Sequence, residues 1–329
     1  MDDLKGIAGP LPEIFAKGTT AEQWRTKRRP ELLKQFTELM YGEAPPAEAP
    51  KVTVVSEKPG DGFLQRTIRL HTGILGPVSL QLTLPLKQTK PAPTFLALNF
   101  TGNESLHSGP TAWSFSEAAR RGFAIATVCY EELAADRKEC PLYESKYRAV
   151  SLWAWGFSRM VDWALTVPEL DSKKLIALGH SRLGKATLLA GARDERFAAV
   201  IPHQSGTGGA APSRGTIGES VQRINTAFPH WFNDAYKKYN ERTADLPFDQ
   251  HCLLACVAPR PILLSNAQED TWANYDGQFS LLDAALPTWK LLGGEEKLVQ
   301  KFMRPGKHAL TPEDWTAFLA FADKIQLSS

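Results

Sequence analysis

Apolar and polar positions change rhythm twice along this chain. Over residues 20–41, Trp24, Leu32, Leu33, Phe36, Leu39 and Met40 supply an apolar side, with Arg25, Lys27, Arg28 and Arg29 outside. That spacing predicts a helix, ended at Tyr41-Gly42 and kept from continuing by Pro45-Pro46. The period then drops to two. Strands are predicted at 52–56, 64–70 and 78–84, most clearly where Val78, Leu80, Leu82 and Leu84 alternate with Ser79, Gln81 and Thr83. Such alternation fits antiparallel strands with one wet face. From residue 94 onward the strand-like runs are nearly all apolar, at 94–100, 124–128, 174–178, 198–202, 261–265 and 298–302. Strands buried on both faces read this way. Helices are predicted at 113–121, 147–165 and 312–324; Trp153, Trp155, Phe157, Met160 and Trp163 of the second are core packing, and Thr311 is a good N-cap for the third. The expected class is α/β: a three-layer αβα sandwich with a mostly parallel, doubly wound sheet and antiparallel N-terminal edge strands. It is read as one domain, 1–329, with an N-terminal wrap and helix at 1–50. Residues 206–249 lack a clear strand and read as an insertion over the sheet's carboxyl edge and the active site.

Composition narrows the function. The 329 residues are 43% hydrophobic and 22% charged with a net charge of +2, which gives no electrostatic case for nucleic acid. No apolar run reaches the roughly 18–20 residues that span a bilayer. Met1-Asp2-Asp3-Leu4 shows neither the basic nor the apolar region of a signal peptide. The cysteines, Cys129, Cys140, Cys252 and Cys256, lack C-x-x-C spacing and join no His/Cys cluster, so no metal is expected and the thiols read as buried and free.

The chemistry concentrates at Leu175-Ile176-Ala177-Leu178-Gly179-His180-Ser181-Arg182-Leu183-Gly184-Lys185. An apolar strand ends in glycine, a serine follows two places later, and an alanine-rich helix begins. An α/β-hydrolase uses this order to lift a nucleophilic serine off the sheet edge. The usual second glycine comes one place late, at Gly184, and a serine here is also what an ordinary helix N-cap would show. The decision rests on partners. A serine hydroxyl needs a base, and the base needs a carboxylate, in the chain order Ser, acid, His. The strand at 261–265 runs into Glu269-Asp270, and the last strand runs into Gly306-Lys307-His308 before the closing helix. His308 is taken as the base and Asp270 as the acid, with Glu269 in reserve. The oxyanion donors are expected from the N–H of Arg182 and from the loop around Thr101 or Gly102. The Arg182 guanidinium is a candidate oxyanion partner as well as a candidate surface charge. Lys185, one helical turn past Ser181, is either a substrate ligand or a solvated lysine. Of the other histidines, His203, His230 and His251 are candidates to line the cleft, His180 is expected to point away, and His71 and His107 precede the nucleophile.

Gly179-His180-Ser181-Arg182-Leu183-Gly184-Lys185 resembles the G-C-S-R-x-G-K signature of the glucuronoyl esterases, carbohydrate esterase family 15, where the late glycine is normal. Trp24…Arg28-Arg29-Pro30-Glu31…Tyr41-Gly42, Asn99-Phe100…Gly102-Asn103, Ser205-Gly206-Thr207-Gly208-Gly209 and Ala258-Pro259-Arg260-Pro261 agree with it. The resemblance implies a serine esterase acting through an acyl-enzyme on esters of 4-O-methyl-glucuronic acid, as in lignin–carbohydrate linkages. It implies that Arg182 assists the oxyanion, and that Lys185, Gln222 and Trp272 contact the sugar; His203 and Gln204 are placed with the substrate too. His180 stands where the signature has cysteine. Gln204 stands where some members carry the acid as glutamate, which points back to Asp270 because a neutral amide cannot stabilise an imidazolium as a carboxylate does. Carbohydrate deacetylation and a non-catalytic carbohydrate-binding relative are the alternatives. No cofactor, nucleic-acid partner or membrane association is expected, and a monomer is. The resemblance implies a secreted or periplasmic protein, with a cytoplasmic one left open.

Overall fold

The computed structural model describes residues 6–103, 106 and 113–327. Nine strands form one sheet: β1 (Lys51–Pro59), β2 (Phe63–His71), β3 (Pro77–Pro85), β4 (Ala92–Asn99), β5 (Ala124–Cys129), β6 (Leu170–His180), β7 (Ala199–His203), β8 (Ile262–Ala267) and β9 (Val299–Arg304). Their spatial order is β1-β2-β3-β5-β4-β6-β7-β8-β9. The period-two strands β1, β2 and β3 pair antiparallel, as does β3 with β5, and every pair from β5 to β9 is parallel. This is the mixed, doubly wound sheet of an α/β-hydrolase. The chain crosses between β5 and β6 on either side of β4, so the strand that leads to Ser181 lies next to the point where the winding reverses. Ligands in open α/β sheets bind outside the carboxyl ends of strands at such points.

The sheet is covered on both faces because its central strands are apolar on both. Along β6, Leu175 and Ala177 enter one core, whereas Ile176 and Leu178 enter the other. The larger core holds Trp153, Phe157, Met160 and Trp163 of the helix Ala149–Ala164 and the apolar positions of the helix Arg182–Arg193. The smaller holds Phe95, Phe123 and Trp315, with helices Phe115–Arg120 and Pro312–Leu327 packed there.

Two departures have local causes. The helix expected at 20–41 is continuous, but the segments Trp24–Arg28 and Thr37–Tyr41 are π-helical. Pro30 follows the first of them, and a proline has no N–H to close an ordinary turn. The helix Tyr275–Leu292 is absent from the sequence reading, because Pro287 sits inside it and masks its period. Within 206–249 there is no strand, only short helices such as Val221–Ala227 and Asp234–Lys237. Among the described residues no helix is long and apolar enough to cross a membrane.

Candidate active site

Ser181 sits on the turn between β6 and the helix Arg182–Arg193 with φ 59° and ψ −125°. A non-glycine residue in that region is strained, and such strain persists only where the surroundings fix it. The surroundings here are two glycines. A Cβ on Gly179 would lie 2.3 Å from Thr187 Oγ1, and one on Gly184 would lie 2.8 Å from the His203 carbonyl oxygen. The late glycine therefore lets the helix lie against the end of β7. In return the Ser181 N–H donates to the His203 carbonyl (3.0 Å).

The three residues expected to act together are brought together. His308 Nε2 lies 2.8 Å from Ser181 Oγ, and His308 Nδ1 lies 2.6 Å from Asp270 Oδ2. Asp270 is buried at the end of the loop after β8, and its other oxygen accepts the Ala273 N–H (3.3 Å). Glu269 is exposed, one residue away on the outer side of the loop. With Nδ1 facing a carboxylate, the imidazole carries its proton there and offers a basic Nε2 to the serine. His180 does not point away: its ring lies tilted between those of His308 (centroids 4.6 Å apart) and His203 (4.9 Å), and burial lowers its pKa so that it stays neutral.

A cavity of about 300 Å³ opens at the serine, lined by Arg182, Lys185, Gln204, Glu219, Phe228 and Trp272 among others. Arg182 is the first residue of its helix, where backbone N–H groups have no intrahelical acceptor and can face an oxyanion. Its guanidinium is held by Asp136 and lies over the rings of Trp231 (4.9 Å) and Phe228 (5.4 Å). Asp136 also accepts from His230 Nε2 (2.8 Å) and Trp231 Nε1 (2.7 Å). Burial alone would raise its pKa, but these donors hold it down at about 2, so Asp136 is charged at any working pH. Lys185 is 5% exposed and donates to the Ser205 carbonyl (2.6 Å). Burial pushes its pKa down to about 8, against the opposing pull of Glu219. Burial raises the Glu219 pKa, with Lys185 and the Trp272 side chain working against the rise.

Several expected ligands lie elsewhere. The Gly102 N–H is taken by Asn99 Oδ1 (2.9 Å), and neither Thr101 nor Gly102 is among the residues that line the cavity. Gln222 is exposed and donates to Glu241 (3.0 Å), because its helix turns Val221, Ile224 and Asn225 inward instead. His203 is fully buried behind the cavity, His230 is bound to Asp136, and His251 meets the Pro12 carbonyl (2.8 Å) on a remote face. Gln204 lines the cavity, but its Oε1 accepts the Ala309 N–H (3.0 Å). His107 falls outside the described residues. The burial that pushes the Cys252 and Cys256 thiols up to about 12 leaves them protonated and inert. Asp136, Glu219, Phe228 and Trp231 were missed. Asp136 alone left a signal, standing in the loop after β5 at the carboxyl edge where such sites are built.

A strained serine on a strand–helix turn, a histidine at its Oγ and a buried carboxylate behind that histidine define a serine hydrolase constellation on an α/β-hydrolase sheet. Residues 72–293 match the family model described as fungal glucuronyl esterase. The chain is 33% identical to carbohydrate esterase MZ0003 of an unknown prokaryotic organism, over 95% of this chain and 88% of that protein. It is 31% identical to the 4-O-methyl-glucuronoyl methylesterase of Hypocrea jecorina, over 56% of this chain and 43% of the relative. A glucuronoyl esterase from Solibacter usitatus superposes with a TM-score of 0.89 at 31% identity, covering 98% of this chain and 99% of that one. The chain belongs to the glucuronoyl esterase family, carbohydrate esterase family 15.

Proposed function

We propose that this protein is a serine esterase that hydrolyses esters of 4-O-methyl-glucuronic acid through an acyl-enzyme. The observation that carries the reading is the Ser181–His308–Asp270 hydrogen-bond chain opening on a cavity walled by Lys185, Glu219 and Trp272. Ser181 Oγ attacks the ester carbonyl while His308 Nε2 takes its proton. The tetrahedral oxyanion faces the Arg182 N–H and the guanidinium that Asp136 holds. His308 returns the proton to the leaving alcohol oxygen, and water, deprotonated by the same imidazole, then releases the uronic acid. Asp270 keeps the imidazole in the required tautomer throughout.

The wall supports a uronic acyl group over an acetyl one. An acetyl group needs only a slot for a methyl. A cavity of about 300 Å³ is at the small end of sites for small molecules, roughly 300–1,000 Å³, and this one carries an ammonium, a carboxylate and an indole. That set suits the hydroxyls and apolar face of a sugar ring whose own carboxyl carbon is the scissile centre. Wild-type enzyme is expected to hydrolyse a methyl or benzyl ester of 4-O-methyl-glucuronate with a kcat/KM at least about 100-fold above that for acetylated xylan, the discrimination that roughly 3 kcal/mol supplies. Equal rates on the two, or preference for the acetyl ester, would sink this reading.

Lys185 makes the affinity depend on pH. Its pKa lies near 8, so above that value the buried amine loses its proton, its charge and one of its donors. KM for the glucuronate ester is expected to rise as pH passes from 7 to 9, with kcat much less affected. Lys185→Met should have a raised KM that no longer changes over this range; a persisting rise in that variant would assign the effect elsewhere.

A further inference from the structure

We propose that Arg304 is a positioning residue for His308, its buried guanidinium forming the template on which the loop bearing the general base is folded. This rests on the reading of His308 as that base. The His308 side chain is 41% exposed, so packing around the ring cannot by itself hold it against Ser181. The backbone on either side is held instead. Arg304 Nη2 donates to the carbonyls of Lys307 (3.1 Å) and Ala309 (2.7 Å), the residues before and after His308, and Nη1 donates to the Pro305 carbonyl (2.8 Å). Arg304 Nε donates to both oxygens of Asp314 (3.0 and 2.9 Å), which balances the charge at the start of the closing helix. Arg304 is 3% exposed and Asp314 is fully buried.

Neighbouring strands complete the clamp. From the end of β7, His203 Nε2 meets the Ala309 carbonyl (3.1 Å). Its Nδ1 lies 3.0 Å from the Ser265 hydroxyl and 3.2 Å from the Ser265 carbonyl of β8, so the ring is tied to both strands' ends. Gln204 Oε1 takes the Ala309 N–H, so that residue is bound at both its N–H and its C=O. The acid's loop is fastened to the same template: the Gln268 N–H donates to the Arg304 carbonyl (2.9 Å) and the Glu269 N–H to the Gly306 carbonyl (3.0 Å). The Asp270 and His308 loops therefore move together or not at all. Only a planar fork can serve three carbonyls and a carboxylate at once. A lysine ammonium in the same place keeps the charge opposite Asp314 and loses the fan of donors.

Arg304→Lys tests this on the full chain. Displacing a catalytic group by about 1 Å costs on the order of 100-fold. The variant is expected to lose about that much kcat on a glucuronate ester with KM within about twofold of wild type, since Lys185 and Glu219 lie on other segments. The far-downfield NMR resonance of the proton between His308 Nδ1 and Asp270 should be sharp in wild type and broadened or lost in the folded variant. A folded Arg304→Lys enzyme with wild-type kcat and an intact resonance overturns the proposal, as does a loss of kcat and KM in step. If that variant does not fold, Gln204→Met removes the Ala309 acceptor without touching the charge. It should lose about tenfold in kcat and broaden the same resonance, and wild-type kcat and resonance in it overturn the proposal. His308→Ala with undiminished turnover would instead overturn the assignment of the base on which the proposal stands.

Discussion

Ser181→Ala should abolish turnover of a glucuronate ester, with a loss of kcat approaching 10⁶-fold, while the protein stays folded. The magnitude follows from the role. Removing the nucleophile of a serine hydrolase leaves only the catalysis that binding and the oxyanion donors supply, a loss of order 10⁶ from the full triad. Stability should scarcely change. Ser181 makes its backbone bond to the His203 carbonyl through an N–H that alanine also has, and the strained φ of 59° is imposed by its neighbours. The melting temperature is expected to move by no more than about 2 °C, the response of a chain this size to well under 1 kcal/mol. Steady-state kinetics beside a thermal melt checks both halves; turnover within tenfold of wild type would remove Ser181 from the mechanism.

Asp270→Asn is the second large effect. The side chain keeps its shape and its place behind His308, 2.6 Å from Nδ1 in the wild type. An amide can present its NH₂ to Nδ1, which turns that nitrogen into an acceptor and puts the ring proton on Nε2, facing Ser181. The serine then has no base. The expected loss is roughly 10⁴-fold in kcat with KM little changed. Glu269→Gln is the paired control, since that carboxylate faces solvent, and it should turn over like wild type. A reversed result, with Glu269→Gln inactive and Asp270→Asn active, would move the acid by one residue and require the loop to be arranged differently.

Much of this architecture could be read from residue patterns because the signals were local. The switch from alternating runs before residue 85 to continuous apolar runs after residue 94 marks the step from antiparallel edge to buried parallel strands. The order of Ser181, Asp270 and His308 after successive strands was legible for the same reason: a strand end fixes which loop emerges at the carboxyl edge. The cavity wall was much less legible. Glu219, Phe228 and Trp231 come from a segment with no strand to set its register, and their placement depends on how short helices pack on the rest of the chain. Gln222 shows the difficulty well. Three residues from Glu219 in sequence, it faces solvent because the first turn of its helix buries Val221 instead. His203 was expected to line the cleft. Its side chain turns inward to the Ala309 carbonyl, a contact 106 residues away that no local pattern encodes. Asp136 is similar: its charge serves Arg182, His230 and Trp231, three residues that meet only in the folded chain.

The most direct test of the central claim, that Ser181, His308 and Asp270 act as one unit, is a double-mutant cycle on kcat. Groups that work as a unit lose nearly everything when one is removed. His308→Ala, Asp270→Asn and the double variant should be measured on one glucuronate ester. The double variant is predicted to be no slower than His308→Ala alone, because an orienting carboxylate has nothing to orient once the imidazole is gone. Losses that multiply across the cycle would mean that Asp270 acts independently of His308, and would contradict the account.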